Sequence, residues 1–143
     1  MNELQDQQAL RDLMAVYIDA VARADGETWK NTWDENGCWV LMGNEVQGRD
    51  VIYGLWQQLM GGFDFALLIP STCHYVIDGD RATGFYYLQE LTRNTDGEGS
   101  QLFSRYTDEC IRTADGWRYR SRAYDIIYQG PAALTGQLQR PPS

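Results

Sequence analysis

The residue types best suited to moving a proton are few in this chain. His74 is the single histidine among 143 residues, set in the stretch "STCHYVIDGDRATG", and imidazole is the side chain that most readily serves as base and then acid near neutral pH. Two carboxylates, Glu90 and Asp108, sit in otherwise apolar alternating stretches. An apolar pocket raises a carboxyl pKa toward the range useful for taking or giving a proton. Tyr17 and Tyr106 are phenols that can donate a hydrogen bond to a carbonyl or hydroxyl on a bound ligand. Acid/base work without a metal is the chemistry this set suggests, with His74, Asp108, Tyr17 and Glu90 as the catalytic candidates. The bland readings are a strand histidine bonded to a neighbour, a cross-strand ion pair and a core tyrosine.

Elements must hold these groups in place. Over residues 4–24 the apolar side chains Leu10, Leu13, Met14, Tyr17, Ile18 and Val21 recur at helical spacing, so Tyr17 faces inward. "ETWKNTW" reads as a short second helix, "CWVLM" at 38–42 as a short strand, and "RDVIYGLWQQLM" at 49–60 as a third amphipathic helix. From there the period becomes two. Residues 65–77, 81–91, 101–112 and 117–128 read as four long strands joined by "DG", "NTDGEG" and "TADG", connections too short for crossover helices. The expectation is an α+β fold in which three N-terminal helices cover one face of a strongly curved antiparallel sheet. One domain spans 1–143, with 129–143 a weakly structured tail.

Register then sorts the candidates. A two-residue loop at Asp78-Gly79 pairs Ile77 with Asp80 and sets His74 opposite Thr83, on the face of Thr72, Val76, Phe85 and Tyr87. The other face carries Cys73, Tyr75, Ala82, Gly84, Tyr86, Leu88 and Glu90. His74 and Glu90 are therefore not direct partners unless a bulge intervenes, and which face lines a pocket is left open. Alternation also puts Tyr106 with Asp108, and Arg118, Arg120 and Arg122 together. A plain turn at "TADG" sets those arginines on the Glu109 face, whereas a glycine bulge there sets them with Asp108. Trp39, Trp56, Phe85, Tyr87 and Tyr106 are the candidate substrate-binding rings, since aromatics serve concave sites for flat organic ligands as well as cores.

Composition narrows the partners. A formal charge of -8 repels phosphate backbones and anionic lipid, which argues against nucleic acid and membrane surfaces. The N-terminal stretch has no apolar signal core, and no segment approaches a membrane span, so a cytoplasmic location is expected. Cys38, Cys73 and Cys110 lack the spacings of zinc or redox sites, and alternation separates Cys73 from His74, so no metal is expected. Glycine-rich nucleotide loops are absent and no cofactor is expected. The broad sheet leaves apolar side chains that need a covering partner, and a homodimer is the expected form.

The first helix "LRDLMAVYIDAVARAD" with Trp29 and Trp33 after it, the hairpin "VIDGDRATG" and the closing "RYTDECIRTADGWRYRSRAY" resemble the cone of the nuclear-transport-factor-2-like superfamily, in its SnoaL-like branch. The resemblance implies a deep pocket between the concave sheet and the helices, and dimerisation through the convex side or sheet edges. It also implies metal-free dehydratase, isomerase or cyclase chemistry on a small hydrophobic ring compound, polyketide- or steroid-like. A non-catalytic binding or accessory protein using the same pocket is the alternative. Tyr17 matches the first-helix tyrosine of the dehydratase-like members. Where those members often carry an aspartate five residues later, this chain has Ala22, and their histidine stands farther ahead of the "GD" turn, at 65–68 here.

Overall fold

The computed structural model describes residues 2–139. Helix α1 (Glu3–Arg23) starts on a capping box, in which Asn2 and Gln5 each satisfy the other's backbone N–H, and stops at Ala24 in the left-handed conformation. Its apolar stripe buries Leu10, Leu13, Tyr17, Ala20 and Val21. The N-terminal end is tied to the far end of the sheet. Asp6 accepts two bonds from the Arg112 guanidinium at 2.6 and 2.9 Å and one from the Trp117 indole at 3.1 Å. The Arg112 bonds hold the Asp6 carboxyl down at about 2.

Two further helices follow, α2 (Gly26–Lys30) and α3 (Arg49–Gly61), separated by a hairpin of β1 (Trp33–Leu41) and β2 (Asn44–Gln47). The sheet continues with β3 (Phe63–Pro70), β4 (His74–Asp78), β5 (Arg81–Asn94), β6 (Gly99–Thr113) and β7 (Gly116–Pro131). Its order is β2-β1-β7-β6-β5-β3, with β4 also paired to β5, and it curves without closing. The helices lie against the concave side, where Trp29, Trp33, Trp39 and Trp56 pack ring to ring at centroid distances of 4.7–6.1 Å. The expected α+β architecture is the observed one.

Three expectations need correction, and one strand was not expected at all. The stretch read as one strand over 65–77 is two, because the chain breaks at 71–73, where the Ser71 hydroxyl accepts a bond from the Tyr87 backbone N–H. β3 and β4 then pair with successive parts of β5. The sheet is not purely antiparallel: β1 runs parallel to β7, Trp39 beside Arg122 and Leu41 beside Tyr124. β2, a short polar strand, carries too little apolar alternation to be read. The tail begins later than residue 129, since β7 runs to Pro131. Residues 132–139 have no helix or strand, and residues 140–143 of that expected tail lie outside the described residues.

Register holds the most instructive difference. The loop is Gly79-Asp80, so Ile77 pairs with Ala82 and His74 with Phe85. Gly79 takes φ +62, which suits glycine at the first central position of a primed turn. The shift is two residues, so each side chain keeps its expected face. Between β6 and β7 the plain turn register holds at Arg112 opposite Trp117 and Ile111 opposite Arg118. Arg120 is then an extra residue, with Cys110 opposite Tyr119 and Glu109 opposite Ser121. This bulge separates the three arginines. Arg118 stays level with Ile111, Arg120 reaches Asp34 at 3.2 Å, and Arg122 turns inward opposite Asp108. Among the described residues no helix is long and apolar enough to cross a membrane.

Candidate functional site

The inward face of β5 and β6 is a ladder of paired residues: Gly84 with Asp108, Tyr86 with Tyr106, Leu88 with Ser104, Glu90 with Leu102, and Thr92 with Ser100. The same face of β7 adds Arg122 and Tyr124. The upper rungs open into a cavity of about 340 Å³ beneath α1 and α3. Tyr17 and Val21 come to it from α1, Trp39 from β1, Trp56 and Met60 from α3, and Ala66 and Leu68 from β3. Glu90, Thr92, Asn94, Ser100, Leu102, Tyr106, Tyr124 and Gln129 complete its sheet wall.

Among the described residues Glu90 is the only carboxylate in that wall, and no lysine, arginine or histidine lines it. Its carboxyl accepts bonds from the Ser104 hydroxyl at 2.8 Å and from the Tyr124 hydroxyl. Both fall on Oε2, which leaves Oε1 for a proton on a bound molecule. Burial pushes the Glu90 carboxyl above its usual range, and the Tyr124 and Ser104 bonds offset this only in part. A second polar group is built by Tyr17 and Tyr106, whose hydroxyls lie 3.1 Å apart. The Trp39 indole N–H donates to the Tyr106 hydroxyl at 3.3 Å. Two phenol protons serve one mutual bond, so one is left to donate to a ligand oxygen.

Below the cavity floor the same sheet face carries a closed ionic cluster. Asp108 takes Arg122 Nε at 2.8 Å and Nη2 at 3.2 Å, and the Tyr75 hydroxyl at 2.7 Å. Arg122 is 0 % exposed and also donates to the Tyr86 hydroxyl at 2.5 Å. Its guanidinium lies 3.7 Å from the Tyr106 ring centre and 3.9 Å from that of Tyr119. Burial works against the cation, but the Asp108 carboxylate together with the hydroxyls of Tyr119, Tyr86 and Tyr17 outweighs it and holds Arg122 charged. Tyr75 reaches Asp108 because Gly84 has no side chain: a Cβ there would lie 2.4 Å from the Tyr75 ring and 2.1 Å from the His74 carbonyl oxygen.

The structure therefore brings together Tyr17, Glu90, Tyr106, Trp39 and Trp56 and keeps four other candidates apart. Asp108 shares the face but lies under the floor, with its charge spent on Arg122. His74 is exposed on the outer face, its ring 5.7 Å from that of Phe85. Phe85 and Tyr87 share that outer face, stacked under the Arg105 guanidinium at 4.4 and 5.6 Å. Alternation is the reason, since His74, Phe85 and Tyr87 have the wrong parity to enter the cavity. Ser104 and Tyr124 were missed by sequence reasoning, although counting back by two from Tyr106 gives the first. Counting on by two from Arg122 gives the second only once the bulge is known.

Similarity to known proteins agrees with this geometry. The model of the SnoaL-like domain family matches residues 2–123. Among solved structures, a hexachlorocyclohexane dehydrochlorinase, LinA type 2, superposes with a TM-score of 0.85 at 15% identity, covering 95% of each chain. LinA type 3 from Novosphingobium barchaimii LL02 gives 0.83 at 16% identity over 97% of each chain. A protein assigned as a scytalone dehydratase from Novosphingobium aromaticivorans DSM 12444 gives 0.83 at 14%, covering 95% of this chain and 97% of that one. No curated protein sequence gives a significant match. With the family model spanning most of the sequence, and helices packed on a curved sheet beside the cavity, the chain belongs to the SnoaL-like domain family within the NTF2-like fold.

Proposed function

We propose that the protein is a metal-free acid/base enzyme, a dehydratase, isomerase or cyclase, acting on a small hydrophobic ring compound with a carbonyl or hydroxyl group. The observation that carries this is Glu90: a carboxylate in a mostly apolar cavity, raised by burial, with one oxygen held by Ser104 and Tyr124 and the other left open. In this reading Glu90 Oε1 takes the proton from the carbon alpha to the carbonyl. The Tyr17–Tyr106 pair donates to the oxygen on which negative charge develops. Names of the similar solved structures, a dehydrochlorinase and a scytalone dehydratase, fit proton removal followed by loss of a leaving group.

Size restricts the ring system. A cavity of about 150 Å³ holds a benzene, and here about 340 Å³ is available. One or two fused rings with substituents fit inside it. The test is exchange of the alpha hydrogens of 2-tetralone in deuterated water, followed by mass spectrometry. The wild type should exceed the protein-free rate, Glu90→Gln should fall back to it, and Tyr17→Phe or Tyr106→Phe should lower the excess about tenfold.

Non-catalytic binding is favoured by one specific observation: Ala22 stands where dehydratase-like members often carry an acid, and among the described residues Glu90 is the only carboxylate facing the cavity. A chain whose tryptophan fluorescence is quenched by 2-tetralone, yet which exchanges hydrogen at the background rate, supports that reading instead. A homodimer remains part of the proposal. Val76, Tyr87, Phe103 and Tyr128 are all more than 40% exposed, and Phe103 and Tyr128 face each other across β6 and β7. Sedimentation at micromolar concentration should give twice the chain mass; a monomer at every concentration would end the idea.

A further inference from the structure

The ladder that places Glu90 continues past it. Thr92 opposite Ser100 is the next inward rung, about 7 Å further along the strands at two residues' rise, and both residues line the cavity. Asn94 lies one inward position beyond, and Gln129 opposite Leu102 on the neighbouring strand. This end of the cavity thus carries two hydroxyls and two carboxamides, all neutral groups able to donate and accept. The walls between, Leu68, Leu102, Trp39 and Trp56, are apolar or aromatic. Among the described residues no cationic side chain lines the space, and the buried Arg122 nearby is paired with Asp108.

We infer that the natural ligand is an uncharged compound of one or two rings carrying a second hydroxyl or carbonyl group about 7 Å from the atom that faces Glu90. The inference rests on the reading of this cavity as the substrate site and adds which molecules it admits. A ligand carboxylate or phosphate would enter without a counter-charge and lie near the Glu90 carboxylate, a repulsion strengthened by low local dielectric. A purely apolar ring would strip water from the half-buried Thr92, Ser100 and Asn94 polar groups and return no bond to them. The ligand that leaves nothing unpaired is neutral and polar at both ends.

Binding, read by quenching of tryptophan fluorescence, tests this separately from turnover. The probes are 2-tetralone, 6-hydroxy-2-tetralone and 6-carboxy-2-tetralone, which share one ring system and differ only at the far end. In the wild type the hydroxy compound should bind about five- to tenfold tighter than 2-tetralone, the worth of one satisfied hydrogen bond. The carboxylate should bind at least about tenfold more weakly than 2-tetralone. Thr92→Val and Ser100→Ala should erase the advantage of the hydroxyl, bringing the affinities for 2-tetralone and 6-hydroxy-2-tetralone together, and Glu90→Gln should shrink the deficit of the carboxylate. Equal affinity for the first two probes, a carboxylate that binds as well as either, or binding of none of the three overturns the inference. Loss of hydrogen exchange with these preferences intact counts against the catalytic reading alone.

Discussion

Two carboxylates on one face of one sheet have opposite fates. Asp108 and Glu90 are each hydrogen-bonded to tyrosine, and both point to the concave side. Asp108 meets a guanidinium inside the protein, and its carboxylate charge is committed to that buried pair. Glu90 meets only two hydroxyls, on one oxygen, and the space beside the other is a cavity. Full pairing makes an acid structural; partial pairing in an apolar wall leaves an acid available to a ligand.

Breaking the closed unit should have the largest effect. Asp108→Asn or Arg122→Met leaves one charge buried without its partner and should cost about 3–5 kcal/mol of stability by chemical denaturation. Whatever still folds should keep its exchange activity. Loss of activity at unchanged stability would put Asp108 in the chemistry after all.

The open acid should respond in the opposite sense. Its carboxyl is raised from 4.5 by burial, so its stability contribution is complete below pH 4.5 and is lost as pH rises through the raised value. Glu90→Gln should therefore raise the melting temperature by a few degrees at pH 7–8 and by progressively less toward pH 4.5, while abolishing exchange. Exchange by the wild type should increase with pH through an inflection above that of an ordinary glutamate. A variant less stable at pH 8 than at pH 5, relative to wild type, would contradict the assignment. The smallest effect belongs to the outer face: His74→Ala should change stability by no more than about 0.5 kcal/mol and leave exchange untouched.

Much of this contrast was legible in the residues. Strand alternation separates His74 from Glu90 whether the hairpin register is right or two residues off, because parity survives an even shift. The first helix likewise gives Tyr17 its inward direction from spacing alone. Arg122 was not legible. Its inward turn depends on the extra residue at Arg120, and a bulge in mid-strand leaves no mark comparable to a glycine turn. Nor could Trp39 be set beside Arg122, since parallel pairing of β1 with β7 joins segments separated by most of the chain and is signalled by neither.

That parallel pairing also bears on how the molecule is made. Leu41 cannot find its place beside Tyr124 until the last strand exists. At about 5–20 residues per second, the intervening stretch takes on the order of 4–16 s to synthesise. During that interval Trp33 and Trp39 have emerged from the ribosome without the strand that later covers them. A chain stopped short of β7 should therefore leave this aromatic wall without its strand partner and aggregate more readily than the full chain.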